Sequence, residues 1–263
     1  MSPDHERLIA DLLATGRFRD LSPCAEGTSA YSFTAYHEHL GRPVFVKLVD
    51  YVPEAEELIL REPRALVDAT NTTPRCPHLV EIYDATIEEL AGEKFVCLQM
   101  EMVEGESLFS AAGEHGIGQR DAVRTAYEVA IGVAHLHNCR LVHRDLKPAN
   151  VMVSSTSAKV TDLGSVARLP ESGMLVGGSR HSALYVPPEG WKMPSEWGQE
   201  SDVYQIGMLL YVAVHGRLET LDDHYAIRLD GRMRRGMGGQ GLARCRWCPG
   251  RECVRLPCFC QPV

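Results

Sequence analysis

The chain lacks any long apolar run. The longest uncharged apolar stretch is Ile206 to Val214, less than half of the ~20 residues that a membrane-spanning helix needs. A membrane span is therefore not expected. The chain also lacks a basic, then apolar, beginning. Met1-Ser-Pro-Asp-His-Glu-Arg carries acids where a secretory signal would carry bases, so the protein is expected to be intracellular and cytoplasmic. No internal repeat is visible. Apolar residues make up 44% and charged residues 24%. These are ordinary globular proportions, so a wholly disordered or collagen-like chain is excluded. At 263 residues the chain can bury a real core, as one large domain or two lobes.

Net positive charge is confined to one end of the chain. The total is −8, and residues 231–263 hold seven arginines against Glu252 alone, leaving the first 230 residues at −14. An acidic body argues against nucleic-acid binding by the main domain, and no specific nucleic-acid partner is expected. Cysteine is uneven too. Cys24, Cys76, Cys97 and Cys139 are scattered, as expected of reduced thiols, while Cys245, Cys248, Cys253, Cys258 and Cys260 crowd the end.

Local patterns place elements along this frame. Ser2-Pro3 opens a helix through Leu13, with Ser as N-cap and Pro at the first helical position. Residues 20–50 read as strands: Tyr31–Tyr36 alternates, Leu40-Gly-Arg-Pro43 is a turn, and Val44–Val49 is β-branched and aromatic. Residues 54–69 have helical composition. Leu79–Tyr83 and Phe95–Met100 read as strands. From Asp121 to His137 apolar residues recur every three or four positions, which predicts an amphipathic helix. Val151–Val153 and Lys159–Thr161 read as short strands. Gln205–Val214 is apolar nearly all round, which predicts a buried helix. Strands dominate the first hundred residues and helices follow, an α+β segregation.

The strongest chemical signal is His143-Arg-Asp-Leu-Lys-Pro-Ala-Asn150, a strand at Val151–Val153, and then Asp162-Leu-Gly164. The order and spacing resemble the eukaryotic-type protein kinase family. Lys147-Pro148 is similar to its Ser/Thr branch. The resemblance implies a bilobal fold with a β-rich N-lobe and a helical C-lobe. It also implies transfer of the γ-phosphoryl of ATP, with Mg²⁺, to a Ser or Thr hydroxyl of a protein substrate. On this resemblance Asp145 is the base that accepts the hydroxyl proton. Lys147 neutralises charge on the transferred group. Asn150 and Asp162 are the metal ligands, hard oxygens suited to Mg²⁺. Lys47, on the strand Val44-Phe-Val-Lys47, matches the lysine that grips the α- and β-phosphates. Met100, Glu101 and Val103 match the adenine hinge, and Met152 matches the floor of the adenine slot. Tyr185-Val-Pro-Pro-Glu189 resembles the end of the activation segment. Ser182 stands where a threonine ties the substrate loop to the catalytic acid. Asp202 resembles the anchor of the catalytic loop, although an N-cap role would suit it equally.

Several positions depart from the family pattern. In Ala25-Glu-Gly-Thr-Ser-Ala30 only Gly27 remains of three phosphate-loop glycines. Phe45 and Ser32 occupy the adenine roof, where the family has small and branched residues. Glu62 is expected to pair with Lys47, with Glu57 as the alternative because Pro63 breaks a helix at Glu62. These departures keep open a second reading, a pseudokinase or truncated kinase-fold scaffold. The expected organisation is a helical extension at 1–19, a kinase domain at 20–230 (N-lobe about 20–103, C-lobe from 104), and a Cys/Arg/Gly-rich tail at 231–263. The tail lacks helical periodicity and is expected to be disordered, which leaves the C-lobe incomplete. An aberrant gene end and a zinc site on Cys245, Cys248, Cys253 and Cys258 are its alternative readings. The oligomeric state stays open.

Overall fold

The computed structural model describes residues 3–24, 31–51, 67, 69–70, 74–168, 183–187 and 197–218. The described residues up to 217 belong to one compact unit. Gly27, Glu57, Glu62, Ser182, Glu189 and the cysteine-rich tail lie outside the described residues. So does nearly all of the helix expected at 54–69, of which residues 67 and 69 are helical, as is residue 70 just beyond it.

The chain begins with a helix, α1 (Pro3–Ala14), followed by strands β1 (Phe18–Pro23), β2 (Tyr31–His37), β3 (Arg42–Asp50), β4 (Ile82–Leu90) and β5 (Glu93–Glu101). These five strands form one antiparallel sheet in the order β1-β2-β3-β5-β4. Side chains alternate between its faces. Phe33, Ala35, Val44, Val46, Leu48, Phe95 and Cys97 point to one face and pack with Leu8 and Leu12 of α1, Phe18 and Leu90. Leu8 and Leu12 lie four residues apart on one side of α1, and each contributes about 1.5–3 kcal/mol by burial. Asp11 accepts the Ala91 N–H at 2.7 Å, fixing α1 to the β4–β5 turn. Burial pushes the Cys97 thiol up to about 12, so it is a core residue and not a nucleophile.

The opposite face carries Ser32, Thr34, Phe45, Lys47, Leu98 and Met100, since Thr34↔Phe45↔Met100 and Ser32↔Lys47↔Leu98 are directly paired. Phe45 therefore shares a face with Lys47 and stands outside the packed core. The pattern of Val44–Val49 predicts the strand correctly. The strand expected at 79–83 instead begins at Ile82, and Leu79 makes a single parallel bridge to Val160.

The second half contains β6 (Glu106–Ser107), α2 (Leu108–Ala112), α3 (Gln119–Asn138), β7 (Leu141–Val142), β8 (Val151–Val153), β9 (Ala158–Val160), β10 (Ala167–Arg168) and α4 (Gln199–His215). Strands β6-β8-β9 form a small sheet, and β7 pairs with β10. Gly105 at φ +121° lets the chain leave the first sheet against β8, where a Cβ would meet the Val153 carbonyl oxygen at 2.3 Å. Helix α3 buries Ala122, Thr125, Val129, Gly132, Val133 and Leu136. The face that the periodicity predicts holds at Val129, Val133 and Leu136, but Val123, its first apolar position, is 60% exposed and Ala122 is buried in its stead. Helix α4 differs from expectation. It buries Ser201, Asp202, Gln205, Leu209, Val212 and Ala213, but Val203 is 62% exposed and Ile206, Met208, Leu210, Tyr211 and Val214 are only half-buried. Composition alone overstated its burial, because only one face is covered: polar at Ser201, Asp202 and Gln205, apolar at Leu209, Val212 and Ala213.

Candidate active site

Two short ladders hold the chemically loaded segments. The β7–β10 pair joins Val142 to Ala167. The loop 143–150 leaves β7, and the turn 162–165 precedes β10. The loop backbone is held by side chains. Asp202, fully buried, accepts the His143 N–H through Oδ2 and the Arg144 N–H through Oδ1, each at 2.9 Å. Its Oδ2 also accepts from His137 Nε2 at 2.8 Å. The His143 ring is buried. Its Nδ1 accepts the Asp145 N–H at 3.3 Å and its Nε2 faces the Thr161 carbonyl oxygen at 3.3 Å, which places the ring proton on Nε2. Arg144 takes up φ +70°, a strained turn that these bonds maintain.

The result aims Asp145 and its neighbours at one place. Lys147 Nζ lies 2.7 Å from Asp145 Oδ2. Asn150 Nδ2 donates to the Asp145 carbonyl oxygen at 2.8 Å and approaches Oδ2 at 3.4 Å. The Asn150 carbonyl oxygen accepts the Thr161 N–H at 2.8 Å, which sets Asp162 beside this group. Asp162 stands at φ +51° in the left-handed region and its Oδ1 contacts Lys47 Nζ at 2.5 Å. Burial pushes the Asp162 carboxyl up. The charge and hydrogen bond of Lys47, together with His143 and the Gly164 N–H, outweigh that and hold it below the usual carboxylate range. Gly164 is close enough that a Cβ would lie 3.3 Å from both Asp162 Oδ1 and Lys47 Nζ.

The structure thus brings together Lys47, Asp145, Lys147, Asn150 and Asp162. Met100 is buried opposite Phe45 on the same sheet, and Met152 lies half-buried on β8 between the inward Val151 and Val153. Glu101 forms an ion pair with Lys159 of β9 and accepts the Glu81 N–H at 3.3 Å. Val103 is half-buried just beyond it. Three contributors went unread in the sequence: His137, Lys159 and Gln205. Gln205 was legible in principle, as a polar residue that directly precedes the apolar run Ile206–Val214, three positions after Asp202.

The donor set fits the groups that the fold family uses. Asp162 and the Asn150 amide offer hard oxygens of the kind a divalent cation prefers. Lys47 Nζ already binds an anionic oxygen, that of Asp162, a group of the kind that a phosphate presents. Among the described residues, no group of three or more His, Cys, Asp or Glu side chains gathers elsewhere to hold a metal. No helix among them is long and apolar enough to cross a membrane.

The family model described as a protein kinase domain matches residues 18–234. Among curated proteins, the chain is 31% identical over 220 residues to the "Probable serine/threonine-protein kinase pknA2" of Bifidobacterium longum, covering 80% of this chain and 28% of the relative. It is 31% identical over 221 residues to the serine/threonine-protein kinase pkn2 of Myxococcus xanthus, covering 79% and 25%. It is 29% identical over 211 residues to the serine/threonine-protein kinase PknA of Mycobacterium tuberculosis, covering 77% and 48%. The chain therefore spans between a quarter and a half of the length of these relatives. With a matching family model over most of its length, the chain belongs to the protein kinase family.

Proposed function

We propose that the protein is an ATP-dependent Ser/Thr protein kinase. The observation that carries this reading is the buried Asp145 carboxylate, held between Lys147 Nζ at 2.7 Å and the Asn150 amide, together with the Lys47–Asp162 pair. Asp145 accepts the proton of an incoming Ser or Thr hydroxyl. Lys147 stays within reach of the oxygens that gain charge. Lys47 exchanges the Asp162 carboxylate for phosphate oxygens of the nucleotide. Asp162 and Asn150 would hold Mg²⁺, which supplies charge neutralisation on the phosphates when bound. Met100, Glu101 and Val103 line the adenine edge, and Met152 lies below it. Gly27 and Glu62 are proposed for the phosphate loop and the Lys47 partner. The kinase domain is proposed to span residues 20–230.

A second reading, a kinase-fold scaffold with weak catalysis, is favoured by Phe45. Its ring lies on the Lys47 face opposite Met100, where it narrows the adenine slot. Nucleotide-dependent thermal stabilisation separates the two readings. At a hundredfold excess over Kd, ATP adds about 2.7 kcal/mol to the folded state, a rise of roughly 5–10 °C for a domain of this size. Kinase function requires that rise and its enhancement by Mg²⁺. A flat melting temperature up to millimolar ATP supports the scaffold.

A further inference from the structure

We propose that Gln205 is a positioning residue that couples the catalytic loop to the segment 183–187, so that the base and the acceptor-binding segment are set by one side chain. This rests on the kinase reading of Asp145. Gln205 is 1% exposed and lies on the same side of α4 as Asp202, three residues earlier. Its Oε1 accepts the Leu146 N–H at 2.9 Å, the amide directly after Asp145. Its Nε2 donates to the Tyr185 carbonyl oxygen at 3.2 Å. Leu146, Tyr185 and Val186 are buried, so both bonds are sheltered from water.

The chemistry of the site selects a carboxamide. One partner is a donor and the other an acceptor, so the side chain must accept at one end and donate at the other. The opposite amide orientation would set NH₂ against N–H and oxygen against oxygen, failing at both ends. A carboxylate keeps the bond to Leu146 but repels the Tyr185 carbonyl. A thioether offers neither bond. Asp202 holds the loop at residues 143 and 144 without reaching the 183–187 segment in any hydrogen bond among the described residues. Gln205 makes both connections. Losing the Tyr185 bond therefore uncouples the segment from the loop while the loop stays anchored.

The test compares the full chain with Gln205→Glu and Gln205→Met by amide hydrogen exchange, without ligand, at pH 6 and pH 8. For Gln205→Glu at pH 8, peptides covering 183–187 are expected to exchange about tenfold faster than in the parent, the scale of one buried hydrogen bond. Peptides covering 143–150 should stay within about twofold. The excess should shrink at pH 6, because burial favours a protonated carboxyl, which donates to Tyr185 again. Gln205→Met should loosen both segments with no such pH dependence. Phosphoryl transfer to a Ser/Thr peptide should show a peptide KM raised about tenfold in Gln205→Glu at pH 8, with the KM for ATP within twofold. Unchanged exchange at 183–187 in both variants overturns the coupling. So does loosening that is the same in both variants and independent of pH, or a fall in kcat with unchanged peptide KM. If the parent transfers no phosphoryl group, the catalytic reading fails, and the exchange experiment alone decides the coupling.

Discussion

Replacing Asp202 by Ala should be among the most damaging single changes in the protein. The carboxylate is fully buried and accepts two backbone amides, from His143 and Arg144, at 2.9 Å each. Alanine leaves both N–H groups buried without their partner. Each such loss costs about 1–3 kcal/mol, so the two together cost about 2–6 kcal/mol. His137 Nε2 loses its partner at 2.8 Å as well. Domains of this kind are stable by about 5–15 kcal/mol in total, so the variant should sit near the edge of folding. Asp202→Asn keeps one acceptor oxygen and should lose about half as much. Urea unfolding followed by tryptophan fluorescence is a suitable assay, because Trp197, 1% exposed, sits just before α4. A loss below about 1 kcal/mol for Asp202→Ala would show that the loop is held by its own conformation and that the anchor is dispensable.

Two further predictions follow from the first sheet. Phe45→Ala should tighten ATP binding and lower the apo melting temperature only slightly, since the ring lies on the cleft face and outside the packed core. A core phenylalanine would cost about 3–5 kcal/mol, so a large drop in melting temperature with unchanged ATP affinity contradicts its placement. His37 is nearly buried and accepts the Leu40 N–H on Nδ1 at 3.2 Å. Burial lowers its pKa, with His39 and Arg17 adding to the effect and Gln99 opposing it. A histidine that resists protonation when folded takes a proton on unfolding once the pH falls below its free value of about 6.5. Stability should therefore decline as pH drops from about 6.5 through the depressed folded value, and His37→Asn should flatten that slope. Parallel pH profiles for the two proteins would refute the assignment.

The site was legible where chemistry needs particular residues at fixed spacing. His143–Asn150 and Asp162–Gly164 could be read because the chemistry restricts the residue types. The structure brings Lys47 to Asp162 across 115 positions of the chain. The strand Val44–Val49 and the helix at 121–137 were legible because each keeps its period. The two-residue strands β6, β7 and β10 carry too few residues for any period to show. Leu79–Tyr83 misled because its apolar positions serve two purposes: Leu79 bridges β9, and the sheet strand starts only at Ile82. Helix α4 misled because a high apolar content does not say which face carries the fixed polar contacts. Its Asp202 and Gln205 are buried while Val203 is not. The roles of His137 and Lys159 depend on partners 65 and 58 residues distant, and no local pattern encodes such pairings.

Phosphoryl transfer from labelled ATP to a generic Ser/Thr protein substrate, measured with Mg²⁺ for the parent chain and for Asp145→Asn, tests the central claim most directly. The account predicts incorporation by the parent, loss of at least about a hundredfold in the variant, and nucleotide-dependent thermal stabilisation that is the same in both proteins. Incorporation that survives the substitution, or a parent that binds nucleotide and transfers nothing, would contradict the account.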